Sequence, residues 1–389
     1  MHVPDGFLDV PTSLATGAIA VGAVGLSLRR AEAEVRTTGP ALAGLTAAFI
    51  FAVQMVNFPV GAGTSGHLLG GVLAACLVGP WTAVLVMTVV LLVQGLLFAD
   101  GGLTALGTNI LLMGLVAVLV GYGLTRLLLR LLPRRPSSIL PAAAVGAFVS
   151  TPAAALAFTG LYAVGGTVAI PLPTLATAMI GWHLLIGIGE ALITTAILGA
   201  VVATRPDLVY AVRGLRPDLV IVGDDGSRRT VGADPRTSPT DPATTDPAPA
   251  DHAPAGPSGT RGARGFLAAG GLVTLVVAGL LSLLASGHPD GLEYVGEELG
   301  FGGSAHESAV AGSPLAEYGF TGLQGPLATT VAGLVGVLVT VAVGMAVLAV
   351  VRAGRRHRSR GRALAAEGAL PAGQAGTAVP GDTNDLARR

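Results

Sequence analysis

The residues best equipped for chemistry in this 389-residue chain are its first two, Met1 and His2, in the run Met-His-Val-Pro-Asp-Gly. A chain that starts this way offers an α-amino group, a peptide nitrogen and an imidazole within one short reach. Those three nitrogens can close fused chelate rings on a single divalent transition ion, so the expected chemistry is metal binding. The segment lacks a basic region and carries Asp5 and Asp9, unlike a secretory signal, so it is expected to stay on the mature protein.

The elements that must position these nitrogens are membrane helices. Mean hydropathy is +0.70, and only 12% of residues are charged against roughly 25% in a soluble domain. Several apolar runs reach the ~18 to 20 residues needed to cross a bilayer. Candidate spans are 10–28, 39–56, 67–79, 81–99, 103–125, 140–163, 175–203, 266–286 and 326–351. All 23 basic residues are arginines, confined to 29–36, 126–135, 205–264 and 352–389. With the N-terminus outside, every one of these stretches falls on the cytoplasmic side, as the positive-inside tendency requires. Segments 1–9, 57–66, 100–102, 164–174 and 287–325 hold no arginine and fall outside. The single cysteine, Cys76, sits in an apolar run, which excludes a disulfide framework and a cysteine-based zinc site.

A length mismatch locates the centre. The second span ends near Asn57 and the chain must be back across by Pro80, yet the helical pattern begins only near His67. About 12 residues of helix rise only ~18 Å, short of the ~30 Å hydrocarbon core. The stretch 59–66 must supply the rest as irregular backbone dipping inward, which is tolerated only inside protein or a polar cavity. His67 then sits within the bundle at a helix start, and the N-terminal strand can descend to meet it.

These residues resemble a family. Met-His-Val-Pro-Asp-Gly-Phe-Leu at 1–8, Asn-Phe-Pro at 57–59, Gly-Thr-Ser-Gly-His-Leu-Leu-Gly-Gly at 63–71, Gln94 with Phe-Ala-Asp-Gly-Gly at 98–102, and His183 to Glu190 are similar to the CbiM/NikM proteins, the metal-specific S components of cobalt or nickel energy-coupling-factor (ECF) transporters. Pro-Asp-Gly-Leu-Glu at 289–293 resembles the PDGLE module of the small CbiN/NikN-type component. The resemblance implies a transported Ni(II) or Co(II) ion held by the Met1 amine, the His2 amide and imidazole, and His67, with no resident cofactor. Four planar nitrogens suit Ni(II), with Cu(II) as a competitor and Co(II) accommodated. Their deprotonation makes affinity fall as pH drops. Expected partners are a transmembrane coupling (T) subunit, ABC-type ATPase subunits and the lipid bilayer, with no nucleic acid. A P-loop needs a lysine and this chain has none, so ATP hydrolysis is expected in those separate subunits and the chain itself is not expected to be an enzyme.

Asp5, Asn57, Gln94, Asp100 and Asn109 are candidates to orient the ligands, or serve as ordinary caps and turns. His183 and Glu190, seven residues apart on one helical face, are intramembrane ionisable groups whose structural alternative is interhelical hydrogen bonding. The expected fold is all-α: a metal-binding transmembrane bundle of about seven spans (1–203), a disordered cytoplasmic linker (204–264), a two-span PDGLE hairpin (265–352) and a disordered basic tail (353–389). The function expected is capture of the ion from outside at the cell membrane for ATP-driven import. The competing readings are a stand-alone secondary metal permease and, behind it, a membrane metalloenzyme.

Overall fold

Backbone N–H and C=O groups in a bilayer must be satisfied within their own segment, and the apolar runs accordingly become helices wherever Gly and Pro do not interrupt them. The computed structural model describes residues 1–215, 219–222, 228–231 and 259–367. Its helices are α1 (Val10–Thr38), α2 (Pro40–Gln54), α3 (Gly71–Val78), α4 (Pro80–Leu97), α5 (Leu106–Leu131), α6 (Ile139–Gly165), α7 (Leu172–Thr204), α8 (Gly259–Gly279), α9 (Gly291–Leu299) and α10 (Pro326–Glu367). Within α5 the stretch Ile110–Tyr122 follows the wider i→i+5 pattern. Two breaks share one chemistry: Gly39 at φ 81° before Pro40, and Gly79 at φ 100° before Pro80. Glycine accepts the positive φ and proline starts the next helix.

Among the described residues seven helices are long and apolar enough to cross a membrane, five before residue 205 and two after 259. The all-helical, multi-span reading agrees with this, but two expected spans are short. Helix α2 has 15 residues and α3 only 8, rising about 22 and 12 Å. Between them lies a small antiparallel hairpin of β1 (Phe58–Gly61) and β2 (Thr64–Gly66). Irregular backbone expected over 59–66 is thus a hairpin whose polar groups pair with one another.

Small residues bring the helices together. Gly121 and Gly146 face each other where α5 crosses α6, and a methyl group on Gly121 would lie 2.9 Å from the Gly146 carbonyl. Gly333 and Gly336 of α10 lie against Ala278 and Phe51, so the C-terminal hairpin packs on α2. Gly146, Gly333 and Gly336 therefore serve internal packing, whereas Gly22 and Gly25 of α1 face open space.

Residues expected as disordered linker begin differently. Val209, Ala211 and Val212 are buried in tight turns below α3 and α7, and β3 (Leu219–Val222) pairs with β4 (Arg228–Val231). Apolar side chains spaced closely enough to reach the bundle base overrode the polar composition of the segment. Residues 232–258 of the linker lie outside the described residues. Helix α10 continues through 353–367, where a disordered tail was expected, and 368–389 lie outside the described residues.

The five arginine-free segments meet at one end of the bundle. His306 N–H donates to Asp5 O, Asp9 N–H to Gly165 O, Gly102 N–H to Val3 O, Ser286 N–H to Asn57 O and Ser65 N–H to Pro289 O, at 2.7–2.9 Å. At the other end Arg30 stacks on Trp81 and Arg213 donates to Thr37 O. There the buried Glu34 carboxylate accepts from the Trp81 and Thr82 N–H groups, satisfying donors that the first turn of α4 leaves open.

Candidate metal centre

The N-terminal strand is threaded into this cap and clamped. Asn109, at the start of α5, accepts from Val3 N–H at 2.7 Å and donates to Val3 O at 3.1 Å. Asp5 accepts from the Leu103 and Thr104 N–H groups at 3.0 and 2.7 Å, tying the strand to the loop after α4. Past the clamp, Asp9 caps α1 through Thr12 N–H at 2.9 Å. Met1, His2 and His67 end up 3%, 8% and 5% exposed, so a chain start that would ordinarily be solvated is enclosed.

The loop carrying His67 is held from below. Both Glu190 oxygens accept backbone N–H bonds, from Leu69 at 2.6 Å and Gly70 at 2.9 Å. Gln54 donates to Leu69 O at 2.8 Å. His67 Nδ1 lies 3.0 Å from Leu68 O, which makes Nδ1 the protonated donor and leaves the Nε2 lone pair for a metal. The Met1 amine donates to that Nε2 at 2.8 Å, and the His2 and His67 rings stack with centroids 5.0 Å apart.

Two carboxylates complete the site. Asp290, the acid of the Pro-Asp-Gly-Leu-Glu run, forms an ion pair with the Met1 ammonium and lies 3.7 Å from His67 Nε2. Its other oxygen caps α9, accepting from Leu292 and Glu293 N–H, while Glu293 returns a bond from Asp290 N–H at 3.0 Å. Asp100 pairs with His2 Nδ1 and accepts from the Tyr318 hydroxyl, which in turn accepts from Gln94 Nε2 at 3.1 Å. Burial works to raise Asp290, but the Met1 ammonium and His67 outweigh it and hold its carboxyl well below the ordinary carboxylate range. At Asp100 burial is likewise outweighed, here by His2, so its carboxyl also sits low.

Among the described residues no three side chains drawn from His, Cys, Asp and Glu are arranged to hold a metal ion. A metal site at this cap would have to draw on main-chain nitrogen, for which the Met1 amine, 2.8 Å from His67 Nε2, and the adjoining His2 amide are available. With His2 Nδ1 these two could close one five-membered and one six-membered chelate ring, leaving His67 Nε2 to offer a fourth nitrogen.

Of the residues singled out in the sequence, Met1, His2 and His67 come together. Asp100 touches His2 directly, Gln94 acts through Tyr318, and Asp5 and Asn109 hold the strand. For Asn57 the described contact is its carbonyl, which accepts from Ser286 N–H, in keeping with the alternative of an ordinary turn residue. Glu190 positions the His67 loop. His183 donates from Nδ1 to Met179 O at 2.7 Å and is fully buried beneath Gly291. Asp290 and Tyr318 escaped sequence reasoning. The signal for Asp290 was present, since Asp followed three residues later by Glu marks a helix start, but nothing local says that the second oxygen reaches a chain start 289 residues away.

Residues 2–208 match the family model described as the CbiM cobalt uptake substrate-specific transmembrane region, and 264–353 match the PDGLE domain. The chain is similar to a protein of Haloquadratum walsbyi named for metal transport, 39% identical over 56% of this chain and 99% of that one. It is 37% identical to a protein of Archaeoglobus fulgidus named as a fused nickel transport protein, over 54% of this chain and 68% of the relative. The cobalt transport protein CbiM of Sorangium cellulosum is 34% identical over 56% of this chain and 97% of its own length. A crystal structure of a truncated transition metal transporter aligns with a TM-score of 0.45 at 34% identity, covering 52% of this chain and 99% of that one.

Proposed function

Since the chain belongs to the CbiM family of cobalt uptake transmembrane proteins and carries a PDGLE domain behind the CbiM region, we propose that it is the substrate-binding component of an ATP-driven, ECF-type importer of Ni(II) or Co(II). In this reading the chain starts at Met1 with a free amine, and the ion is captured by that amine, the His2 amide and Nδ1, and His67 Nε2. One observation carries the proposal: the Met1 amine and the His67 Nε2 lie 2.8 Å apart with the His2 ring stacked above, in a buried cap.

Loading exchanges partners. His2 Nδ1 leaves Asp100 and the Met1 amine leaves Asp290 as each, together with the His2 amide, releases a proton to water and takes the ion. The two carboxylates, already charged, remain beside the incoming divalent cation and offset its charge. The PDGLE hairpin contributes by seating Asp290 against the chain start and so holding it in the loading position. A coupling subunit and ABC-type ATPases, which this chain does not contain, supply the energy, and Gly22 and Gly25 give α1 a face on which another helix can approach closely. The cap faces outward and the arginine-rich end faces the cytoplasm.

Titration of purified protein with Ni(II), alongside a version extended by a few residues before Met1, tests the proposal. Affinity should fall by orders of magnitude in the extended version, and equal affinities would overturn it. A stand-alone permease would need a polar path that includes His183 and Glu190; both Glu190 oxygens are engaged in holding the His67 loop, and His183 Nδ1 in donating to Met179 O. Concentrative uptake in cells lacking any coupling ATPase would favour the permease.

A further inference from the structure

Besides Asp290, the two modules meet at a second point, and it is built from unusual backbone. Among the described residues four that are not glycine take a positive φ: Ala62, Ala99, Glu317 and Tyr318. Three of the four flank one contact. Ala99, at φ 54°, precedes Asp100, and Glu317 and Tyr318, at φ 53° and 56°, form the turn of the hairpin loop that reaches it. Residues with a Cβ use the left-handed region sparingly, and it persists only where the surrounding structure over-determines it. Here Glu317 N–H donates to Phe98 O at 2.8 Å, the Ser313 hydroxyl donates to Leu97 O, and the Tyr318 and Phe98 rings pack with centroids 5.0 Å apart. These contacts bring the phenol to the end of α4, where its oxygen accepts from Gln94 Nε2 at 3.1 Å and its hydroxyl donates to one oxygen of Asp100. The other Asp100 oxygen pairs with His2 Nδ1. One carboxylate thus has a partner in each module.

We propose that Tyr318 is a positioning residue for the loaded state: its hydroxyl, acting through Asp100, slows escape of the ion from the nitrogen site. The inference rests on the metal-capture reading above and adds to it a residue of the accessory hairpin that governs release. Before loading, Asp100 has both bonds. Once His2 Nδ1 has turned to the ion, the Tyr318 hydroxyl is the side-chain donor that Asp100 keeps, and it fixes the carboxylate beside the cation whose charge it offsets. Without that hydroxyl the metal-free form still has its His2 pair, whereas the loaded form leaves the carboxylate without either donor. Bonds to charged groups are the costly ones to lose. The loaded state is therefore the one weakened, and a loss confined to that state appears in dissociation.

The test mixes the full chain, with its native N-terminus, with Ni(II) and follows association and dissociation by the absorbance of the planar Ni(II)–amide chromophore. Tyr318→Phe keeps the ring on Phe98 and removes only the hydroxyl. It should speed dissociation about tenfold, the low end for residues that orient ligands, with association changed by less than about twofold. Tyr294→Phe removes a hydroxyl of the same module that bonds Glu298 at the surface, and as the control it should leave both rates unchanged. In an Asp100→Ala background Tyr318→Phe should add less than about twofold, because losses within one network are not additive. Asp100→Asn, similar in shape but uncharged, is a second background, in which the added loss should stay below about threefold. Unaltered dissociation in Tyr318→Phe, a loss that falls on association instead, or the same added loss in both Asp100 backgrounds would each overturn the role assigned to Tyr318. Absence of any Ni(II) chromophore in the unaltered protein would instead count against the metal-capture reading itself.

Discussion

A flexible chain start makes a poor ligand unless something holds its backbone still. Asn109 does so with two hydrogen bonds to one residue, Val3, so that the two proposed ligands upstream of it inherit a fixed position. Asn109→Ala should therefore lower Ni(II) affinity by about 10- to 100-fold, the range for residues that orient ligands rather than bind, while His67→Ala should cost more because it removes a donor. Isothermal titration on the two variants checks the order, and a larger loss in Asn109→Ala would contradict the assigned roles. The acid response follows from the carboxylate that pairs with the chain start. Asp290 has a depressed value, so its contribution is complete above the ordinary carboxylate range near ~3.9 and is lost only as pH drops through its lower folded value. Hydrogen exchange over residues 286–300 should thus rise only on acidification below the ordinary carboxylate range, and a rise already complete at neutral pH would contradict the Asp290 pairing.

At the level of elements, the connection between α2 and α3 decides where the site lies. Its length mismatch was legible in the sequence, because a helix of fixed rise cannot span the bilayer with so few residues. Its solution was not legible, because the partners that make backbone at depth tolerable are remote: Glu190 is 121 positions beyond Leu69, and Asp290 and Pro289 lie in the other module. Glu190→Ala would leave the Leu69 and Gly70 N–H groups buried without acceptors, at about 1–3 kcal/mol each. Gly70 sits at φ 83°, and a methyl group there would lie 2.9 Å from Ile50 Cγ2, so Gly70→Ala combines αL strain of about 1–2 kcal/mol with a clash. Both variants should lower the thermal midpoint and the Ni(II) affinity together. Either one retaining full affinity would show that the loop does not set the position of His67.

For the whole molecule, the distribution of arginine divides the chain into two sets of loops, and the fold gathers the arginine-free set into one cap. The described Cys76 is buried and is the chain's single cysteine, so introduced thiols can be read against little background. Ser308→Cys should react with an impermeant maleimide in intact cells and Arg134→Cys only after permeabilisation; the reverse pattern would invert the proposed orientation. Patterning alone was enough to establish the helical membrane class and the two modules marked by their motifs, and to raise the expectations of outward-facing arginine-free loops and a chelating chain start. These follow from local quantities: apolar run length, charge, and atoms joined by a few covalent bonds. Only tertiary structure could decide that α2 and α3 are short, that the linker begins as packed turns, and that Asp290 meets Met1 while Tyr318 braces Asp100. Each of those outcomes is a contact between residues far apart in the chain, and its energy exists only once the helices have brought both partners to the same end of the bundle.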